Sequence, residues 1–571
     1  MICKRLIIKY LSPNILVSLL LVQCGTPEPE FDLSINIDLN EKRGPMTPVW
    51  AWFGYDEPNY TYMKDGRKLL TEISELSPVP VYVRAHNLLS TGGGTPALKW
   101  GSTNAYTEVD GKPVYDWTLT DKIFDTYVER GMHPLVEIGF MPEALSSRPR
   151  PYQHKWRPGA PYEEIYTGWA YPPKDYEKWA ELVYQWVIHC VEKYGRDEVE
   201  KWYWEVWNEP NIGYWQGSLE EYLKLYDCSA DAVKRALPTA IFGGPHTTGP
   251  SWSEAEKYLR SFLDHVTSGK NFVTGETGSP IDFIAFHAKG GPRLQGDSIV
   301  LMNLGTQLRD ISKGFEIVAS YPTLKSLPVI IGESDPEGCA ACSVNDYPAN
   351  AYRNGTMYSS YTAAAFARKY ELADHFGVNF KGAVTWAFEF ENQPWFQGYR
   401  DLATNGIDKP VLNVFRMFGK MSGDRVAVTG DIAYDFQAVR DSSVRGDQRD
   451  INAFASVNKN ELGVMVWNYH DLNVISPQQK VRLTINNVPA NEVHVSHYRI
   501  DQEHSNSYRA WLKMNSPQEV TDEQYASLEK TGQLEEVEHI ESMIVKDGVL
   551  TIYVDMEGQA VSFFEITWNE N

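Results

Sequence analysis

The feature that most restricts the possible folds is an alternation of short apolar runs and longer helical segments from residue 47 to about residue 420. Short runs rich in β-branched and aromatic residues indicate strands, and apolar residues at helical spacing between them indicate repeated βα units. Eight runs fit the strand pattern, at residues 49–53, 81–84, 134–138, 202–206, 240–243, 283–286, 329–332 and 383–386. Eight such units predict a (β/α)8 barrel, with its chemistry on the loops that follow the strands.

The pattern changes after about residue 424, where apolar and polar residues alternate with a period of two. Examples are residues 462–467, 481–485, 550–554 and 561–566. The sequence therefore predicts a catalytic barrel over residues 47–423, followed by a β-sandwich domain over residues 424–571. Residues 31–37 alternate in the same way, so we expect the segment 24–46 to hold a tether and a further strand of that second domain.

The first residues have the features of an export signal. Three basic residues precede the apolar run 15–22, which is too short to cross a bilayer as a helix. We therefore predict a signal peptide over residues 1–23. Leu-Val-Gln-Cys at 21–24 resembles a bacterial lipobox, although Gln23 replaces the usual small residue, so Cys24 is the expected lipidation site. The mature protein is then expected to be an outer-membrane lipoprotein of a bacterium, periplasmic or on the cell surface, with its lipid as the only membrane contact.

Composition excludes one class of partner and favours another. The chain carries 75 acidic and 53 basic residues, a formal charge of −22, and no long basic stretch. Nucleic acid is therefore not an expected partner. Aromatic residues make up 13% of the chain, with 18 Trp and 33 Tyr, more ring surface than a core needs. Such rings can stack on neutral ligands, so we expect an oligo- or polysaccharide partner. The sequence predicts no particular oligomeric state.

The cysteines indicate structural roles. Cys190 and Cys228 lie in apolar stripes of helical segments, which is typical of small buried hydrophobic residues. Cys339 and Cys342 have the spacing of a redox motif or half a zinc site. No second Cys/His pair has metal-ligand spacing, and an exported protein favours a local disulfide. We therefore predict a disulfide here and no metal site.

Two carboxylates follow strands of the predicted barrel. The fourth run continues into Trp-Asn-Glu-Pro-Asn at 207–211, and the seventh ends in Gly-Glu-Ser-Asp-Pro at 332–336. Strands four and seven lie across the barrel mouth, so we expect Glu209 and Glu333 to face each other. Most single Glu residues near strand ends are solvated or in ion pairs. A facing pair, however, is what cleavage of a glycosidic bond with retention requires, with the carboxyl groups about 5–5.5 Å apart.

Several segments together resemble glycoside hydrolase family 39, the family of retaining β-xylosidases and α-L-iduronidases. They are Trp-Glu-Val-Trp-Asn-Glu-Pro-Asn at 204–211, Arg-Ala-His at 84–86, Gly-Phe-Met-Pro-Glu at 139–143, Phe-His-Ala-Lys-Gly at 286–290 and His-Tyr-Arg-Ile-Asp at 497–501. The resemblance extends over about residues 45 to 570. Asn-Glu-Pro alone would indicate only the wider clan of barrel glycosidases with two catalytic Glu residues.

The resemblance implies a role for each matching residue. Glu209 would be the acid/base, kept protonated by its surroundings, and Glu333 the nucleophile, kept ionised by a nearby cation. The substrate-binding positions that it implies are Asn208, Arg84, His86 and His287. Asn208 would hydrogen-bond the sugar 2-hydroxyl, and Arg84 would hold the nucleophile ionised. Glu205, also close to a strand end, is expected to point into the barrel wall.

Three further residues carry open alternatives. Lys289 stands where β-xylosidases of the family typically have Tyr, and in the iduronidase branch a Lys at this position faces the sugar carboxylate. The sugar could therefore be neutral or acidic. Trp386 and Trp395, after strand eight, are candidate stacking platforms for the sugar, and each could equally belong to the core.

The leading hypothesis is a retaining exo-glycosidase that removes xylose-like units during glycan degradation. The first alternative is an iduronidase-like hydrolase of glycans containing uronic acid. The second is a surface lipoprotein that binds glycans without cutting them, although a binder has no use for a paired acid and nucleophile. Since two carboxylates supply the proton transfer and the nucleophile, no organic cofactor or metal is expected.

Overall fold

A computed structural model describes residues 29–99, 101–151, 168–296, 299–431, 434–474 and 476–569. The predicted signal peptide and Cys24 lie outside these ranges. Within them, every helix is too short or too polar to cross a membrane.

The strands of the described chain are β1 (Leu33–Pro45), β2 (Trp52–Tyr55), β3 (Tyr82–Ala85), β4 (Tyr106–Val109), β5 (Lys112–Tyr115), β6 (His133–Ile138), β7 (Tyr203–Val206), β8 (Ile241–Thr247), β9 (Phe283–Phe286), β10 (Arg293–Gln295), β11 (Ile299–Leu301), β12 (Pro328–Ile331), β13 (Asn379–Ala383), β14 (Thr385–Trp386), β15 (Ala403–Thr404), β16 (Ile407–Asp408), β17 (Asp424–Gly430), β18 (Asp450–Asn458), β19 (Glu461–Tyr469), β20 (Gln479–Asn486), β21 (Glu492–Ile500), β22 (Glu535–Ile544), β23 (Val549–Met556) and β24 (Val561–Thr567).

The α-helices of the same ranges are α1 (Lys64–Leu76), α2 (Thr118–Val128), α3 (Tyr176–Tyr194), α4 (Arg196–Val199), α5 (Leu219–Ala236), α6 (Ser253–Ser268), α7 (Leu304–Ala319), α8 (Thr356–Phe376), α9 (Pro410–Gly419), α10 (Phe436–Ser442), α11 (Ser507–Lys513) and α12 (Asp522–Gly532).

The predicted (β/α)8 barrel is confirmed. Its parallel strands run in the order β13-β12-β9-β8-β7-β6-β3-β2-β14. The two strands at the ends of this order, β13 and β14, are halves of one eighth strand interrupted at Val384. Since β13 pairs with β12 and β14 pairs with β2, this interrupted strand closes the barrel.

Several of the helices begin with a side chain that caps their first backbone N–H groups. In α3, the Asp175 carboxylate accepts hydrogen bonds from the backbone N–H groups of Glu177 and Lys178. In α5, Ser218 and Glu221 form a capping box. The thiols of Cys190 and Cys228 are buried on these two helices, as predicted, and Cys339 is joined to Cys342 by a disulfide.

The second sheet is mostly antiparallel, with the order β22-β21-β24-β19-β18-β17-β1-β20-β23. Strand β1 lies inside it, antiparallel to β17 and parallel to β20. Alternation along β19 explains how the sheet packs on both faces: Val464 and Val466 join the core of the second domain, whereas Met465 and Trp467 join the larger core of the barrel. The β-sandwich domain therefore shares one buried face with the barrel.

Candidate active site

The site begins as a charged layer inside the barrel. On three adjacent strands, an apolar or aromatic residue of the barrel interior is followed two positions later by a charged one, which places Arg84, Glu137 and Glu205 above the apolar layer. All three side chains are fully buried. This layer lies at the carboxyl ends of the strands, where barrel enzymes carry their chemistry.

Arg84 is the centre of this layer. Its Nε donates to Glu205 Oε1 at 2.6 Å, and its Nη2 donates to Glu137 Oε2 at 2.8 Å and to Asn208 Oδ1 at 3.1 Å. Its Nη1 lies 3.3 Å from Glu333 Oε1. One guanidinium thus orients three carboxylates and an amide, because its planar fork offers donors in fixed directions.

Glu209 follows β7, Glu333 follows β12, and the barrel brings the two side chains together. One ring nitrogen of His287 and one carboxyl oxygen from each Glu lie within 4.8 Å of one another. The two carboxyl groups can therefore contact the same small group at the mouth of the barrel. This is the juxtaposition that the positions of the fourth and seventh strands led us to expect.

The two carboxyl groups have different surroundings. Burial raises the pKa of Glu209 to about 7, and the negative charge of Glu333 adds to that rise. Burial also raises the pKa of Glu333, but the cation of Lys289 and the imidazoles of His287 and His86 lower it well below its ordinary value. Between these two values, Glu209 holds a proton and Glu333 is ionised.

Lys289 is bound to other residues of the site. Its Nζ lies 2.5 Å from Glu333 Oε2 and 2.9 Å from Asp335 Oδ1, and its side chain is 18% exposed. Asp335 also pairs with Arg400. The family resemblance left open whether Lys289 faces a sugar carboxylate, as in the iduronidase branch, or whether the sugar is neutral. In the structure Lys289 neutralises the carboxylate of Glu333, because Asp335 holds its ammonium group at that position.

His86 contacts Glu333, and Asp56 links His86 to Trp386. The His86 ring has Nδ1 3.1 Å from Asp56 Oδ1 and Nε2 3.3 Å from Glu333 Oε1. Burial lowers the pKa of His86, but the carboxylates of Glu137, Asp56 and Glu333 raise it to about 10. The Trp386 indole N–H donates to Asp56 Oδ1 at 3.1 Å. Trp386 is only 1% exposed and packs in the apolar cluster of the barrel interior.

Trp395 lies in a different cluster. Its ring packs against Phe396 and Tyr525, and its backbone N–H donates to Gln518 Oε1 at 3.0 Å. The sequence left open whether this residue is a stacking platform for the sugar or part of a core. In the structure, the long segment after strand eight turns towards α11 and α12 of the second domain and packs Trp395 there.

The backbone after β7 has an unusual conformation. Trp207 and Glu209 have φ angles of 72° and 43°, and His246 on the neighbouring strand has 54°. Such angles cost bulky residues about 1–3 kcal/mol each and persist where the surroundings fix them. Here the Glu209 N–H donates to the His246 carbonyl at 3.0 Å, and Asn211 forms two hydrogen bonds with Thr248. These contacts aim Glu209 into the mouth.

Sequence reasoning missed or misplaced several residues of the site. Glu205, expected in the barrel wall, lies inside the barrel and contacts both Arg84 and His246. His246 in turn has Nδ1 3.3 Å from Nε2 of His287, and His287 has Nδ1 2.9 Å from Glu209 Oε1. His246 closely follows the fifth strand-like run, and inspecting polar residues at that strand end would have identified it.

The donor set also bears on metal binding. Among the described residues, Glu209, His287 and Glu333 are the one group with three ligand atoms close enough for an ion. The Lys289 ammonium already neutralises Glu333 at 2.5 Å, and His287 is hydrogen-bonded to Glu209. The group is therefore explained by its own proton and charge arrangement, which suits proton transfer beside an ionised nucleophile.

Comparisons with known proteins relate the chain to one family of enzymes. The family model described as glycosyl hydrolases family 39 matches residues 33–540. A β-xylosidase from Caldicellulosiruptor saccharolyticus is 27% identical over 539 residues, which cover 91% of this chain and 95% of that protein. An α-L-iduronidase from Canis lupus familiaris is 30% identical over 161 residues, 28% of this chain and 23% of that protein. The crystal structure of a monomeric β-xylosidase from Caulobacter crescentus CB15 matches with a TM-score of 0.71 at 22% identity, covering 94% of this chain and 99% of that one.

Proposed function

The chain belongs to glycosyl hydrolases family 39 and is a glycoside hydrolase, and from this premise we propose that it is a retaining exo-glycosidase that removes xylose-like units from glycans. The proposal assigns Glu209 as the acid/base and Glu333 as the nucleophile. The observation that carries it is that the two carboxyl groups have oxygens within 4.8 Å of each other, in surroundings that raise the pKa of Glu209 and lower that of Glu333. An inverting pair needs about 6.5–9.5 Å to leave room for water.

In the first step, the Glu333 carboxylate attacks the anomeric carbon while Glu209 gives its proton to the departing glycosidic oxygen. The product is a sugar esterified to Glu333. Asn208 Oδ1 accepts from Arg84, which turns the Asn208 amide nitrogen into the donor for the sugar 2-hydroxyl. This contact strengthens as positive charge develops on the sugar ring.

In the second step, water attacks the anomeric carbon of the ester. Glu209, now a carboxylate, takes a proton from that water, and Glu333 leaves as an ion. The Lys289 and His86 contacts stabilise Glu333 as a leaving carboxylate in this step, just as they keep it ionised before the first. The sugar is released with its original anomeric configuration.

The experiment for this mechanism is an NMR time course of aryl xyloside hydrolysis together with the Glu333→Gln variant. We expect the first product to be the retained anomer and kcat of the variant to fall roughly a thousandfold or more, because its amide is a poor nucleophile. An inverted first product, or a variant with the wild-type rate, would refute the assignment.

The alternative substrate is a uronic acid. It is favoured by the partial exposure of Lys289 and by the similarity of part of the chain to an α-L-iduronidase. The neutral sugar remains the leading proposal, because Lys289 is already paired with two carboxylates and a β-xylosidase matches nearly the whole chain. The two substrates are discriminated by measuring the hydrolysis of aryl xylosides and aryl iduronides by the wild-type enzyme and by Lys289→Ala. A preference for the iduronide that Lys289→Ala abolishes would indicate the uronic acid. Family membership also removes the noncatalytic glycan-binding alternative.

We also propose that the enzyme is exported and tethered by a lipid on Cys24. The support is the basic start, the apolar run and the lipobox-like sequence before Cys24. Expression in a bacterium with a labelled fatty acid should give a labelled, membrane-associated product that Cys24→Ser abolishes. Equal labelling of the variant would contradict lipidation at this residue.

A further inference from the structure

A line of polar side chains in direct contact runs through the barrel interior to Glu209. Glu205 Oε2 contacts His246 Nε2, His246 Nδ1 lies 3.3 Å from His287 Nε2, and His287 Nδ1 lies 2.9 Å from Glu209 Oε1. All of these residues except Glu209 are completely buried. Buried polar atoms need hydrogen-bond partners, so each contact constrains where the next proton can lie.

The line begins at an ionised carboxylate. Burial raises the pKa of Glu205, but Arg84, whose Nε donates to Glu205 Oε1 at 2.6 Å, and His246 bring it below the ordinary value. An ionised carboxylate can only accept hydrogen bonds. The His246 nitrogen that contacts Glu205, Nε2, must therefore carry a hydrogen.

The next two rings follow from this start. Burial lowers the pKa of His246 to about 3 and that of His287 well below its ordinary value, so both rings are neutral and each carries one N–H. With its hydrogen on Nε2, His246 offers Nδ1 as an acceptor. His287 must then donate from Nε2, which leaves its Nδ1 as an acceptor facing Glu209.

We propose that Glu205 and His246 are positioning residues that hold His287 in the Nε2–H tautomer and thereby keep the proton on Glu209. The contact between His287 Nδ1 and Glu209 Oε1 is satisfied when the carboxylic acid donates the hydrogen bond. The inference rests on the proposed role of Glu209 as acid/base, and it adds a hydrogen-bond acceptor to the burial and the Glu333 charge that already favour the protonated acid.

The arrangement also serves the second step of the reaction. When Glu209 has lost its proton, its carboxylate faces the lone pair of His287 Nδ1. That carboxylate lacks a hydrogen-bond donor on this side, so taking a proton from the attacking water restores the hydrogen bond. The same tautomer thus favours Glu209 as acid and as base in turn.

Other charged groups face the same residues and stay in place in the variants below. The groups that face Glu209, besides His287, are Glu333, Lys289, His86 and Arg84. The groups that face His287 are Glu333, Arg84, Lys289, His86, Glu209 and His246. The groups that face His246 are Glu205, Arg84 and His287.

The direct test determines the tautomers of the histidine rings in the resting enzyme by nitrogen-15 NMR. The spectra are recorded at a pH below 7, because burial raises the pKa of Glu209 to about 7 and the acid is protonated below that value. Single His variants assign the signals. We expect both His246 and His287 to be neutral with the hydrogen on Nε2. A His287 ring with its hydrogen on Nδ1, or a doubly protonated His246, would overturn the inference. This measurement needs no turnover.

The functional test compares His246→Leu with His246→Gln. Leu removes the acceptor for His287, which can then donate from Nδ1 and stabilise the ionised form of Glu209, so the basic limb of kcat/KM should move about one pH unit lower. The Gln amide offers both a donor to Glu205 and an acceptor for His287, so this variant should keep the basic limb at the wild-type pH. A basic limb at the same pH in wild type and His246→Leu, or a basic limb that moves equally in His246→Leu and His246→Gln, would contradict the positioning role of His246.

A matched control is His265→Leu. His265 is buried and its Nε2 lies 3.1 Å from both carboxylate oxygens of Asp227, on helices outside the barrel mouth. We expect this variant to keep the wild-type pH profile. If Glu209→Ala shows no rescue by azide while the tautomers are as expected, the proposed catalytic role fails and the hydrogen-bond order stands.

Discussion

The ammonium of Lys289 lies 2.5 Å from Oε2 of Glu333, so the cation of this pocket is bound to the proposed nucleophile. Lysine contributes here by keeping Glu333 ionised in a buried setting, where an uncompensated carboxylate would bind a proton. One alternative that the family resemblance left open gives this cation to a sugar carboxylate instead. The two roles give different pH profiles.

Lys289→Met should therefore move the acid limb of the kcat/KM profile to a higher pH. The native contact lowers the pKa of Glu333, so Glu333 is active at all pH values above that low value. Without the cation the pKa rises, and activity is lost at a higher pH than in wild type. We expect the acid limb to move by at least about one pH unit, which corresponds to 1.36 kcal/mol. An unmoved acid limb with a changed preference for acidic sugars would indicate a substrate contact.

The wild-type enzyme should lose kcat/KM as pH rises through about 7, the pKa to which burial and Glu333 raise Glu209. Above that value Glu209 is ionised and has no proton for the leaving oxygen. The rate should stay flat on the acidic side down to below 4.5, because Glu333 stays ionised there. A profile centred above pH 8 would be inconsistent with these two assignments.

Glu209→Ala should separate the two steps. Aryl glycosides with good leaving groups need little protonation, so the first step should proceed and the second should become slow for lack of a base. Azide needs no general base and should restore turnover, giving a glycosyl azide of retained configuration. The matched variant Glu205→Ala keeps Glu209 and should gain nothing from azide.

Arg84→Met should destabilise the fold because it leaves Glu137 and Glu205 buried without their cation. Removing one partner of a buried ion pair costs about 3–5 kcal/mol. In the wild type, burial already raises the pKa of Glu137 to about 7, whereas Arg84 helps to keep that of Glu205 below its ordinary value. Loss of the cation raises both folded-state pKa values further, so the loss in free energy of unfolding grows as pH increases from 5 to 8. Urea titrations at both values measure it. Arg260→Met, which breaks an exposed i,i+4 pair with Glu256, should change stability by less than about 0.5 kcal/mol.

Much of the barrel could be predicted from sequence, because apolar strands that are covered on both faces leave short continuous runs. Glu209 and Glu333 could be placed as well, since each directly follows such a run. Alternation within one strand also relates Arg84 to His86, which lie two residues apart and face the same side.

Other parts of the site depend on contacts that no local pattern reveals. Arg400 reaches Asp335 across 65 residues, and Asp335 is what holds Lys289 against Glu333. The path of the segment after strand eight, which takes Trp395 to the second domain, depends on packing against α11 and α12. The positive φ angles of Trp207 and Glu209 likewise result from tertiary hydrogen bonds.

The most direct test of the central claim is covalent trapping. A 2-deoxy-2-fluoro xyloside with a good leaving group slows both steps, the second more, so the sugar ester should accumulate on the nucleophile. Peptide mapping by mass spectrometry should find one added fluorosugar, on Glu333. A label on Glu209 or another carboxylate would contradict the assignment, and so would hydrolysis of the parent xyloside by the inverting route without any trapped ester.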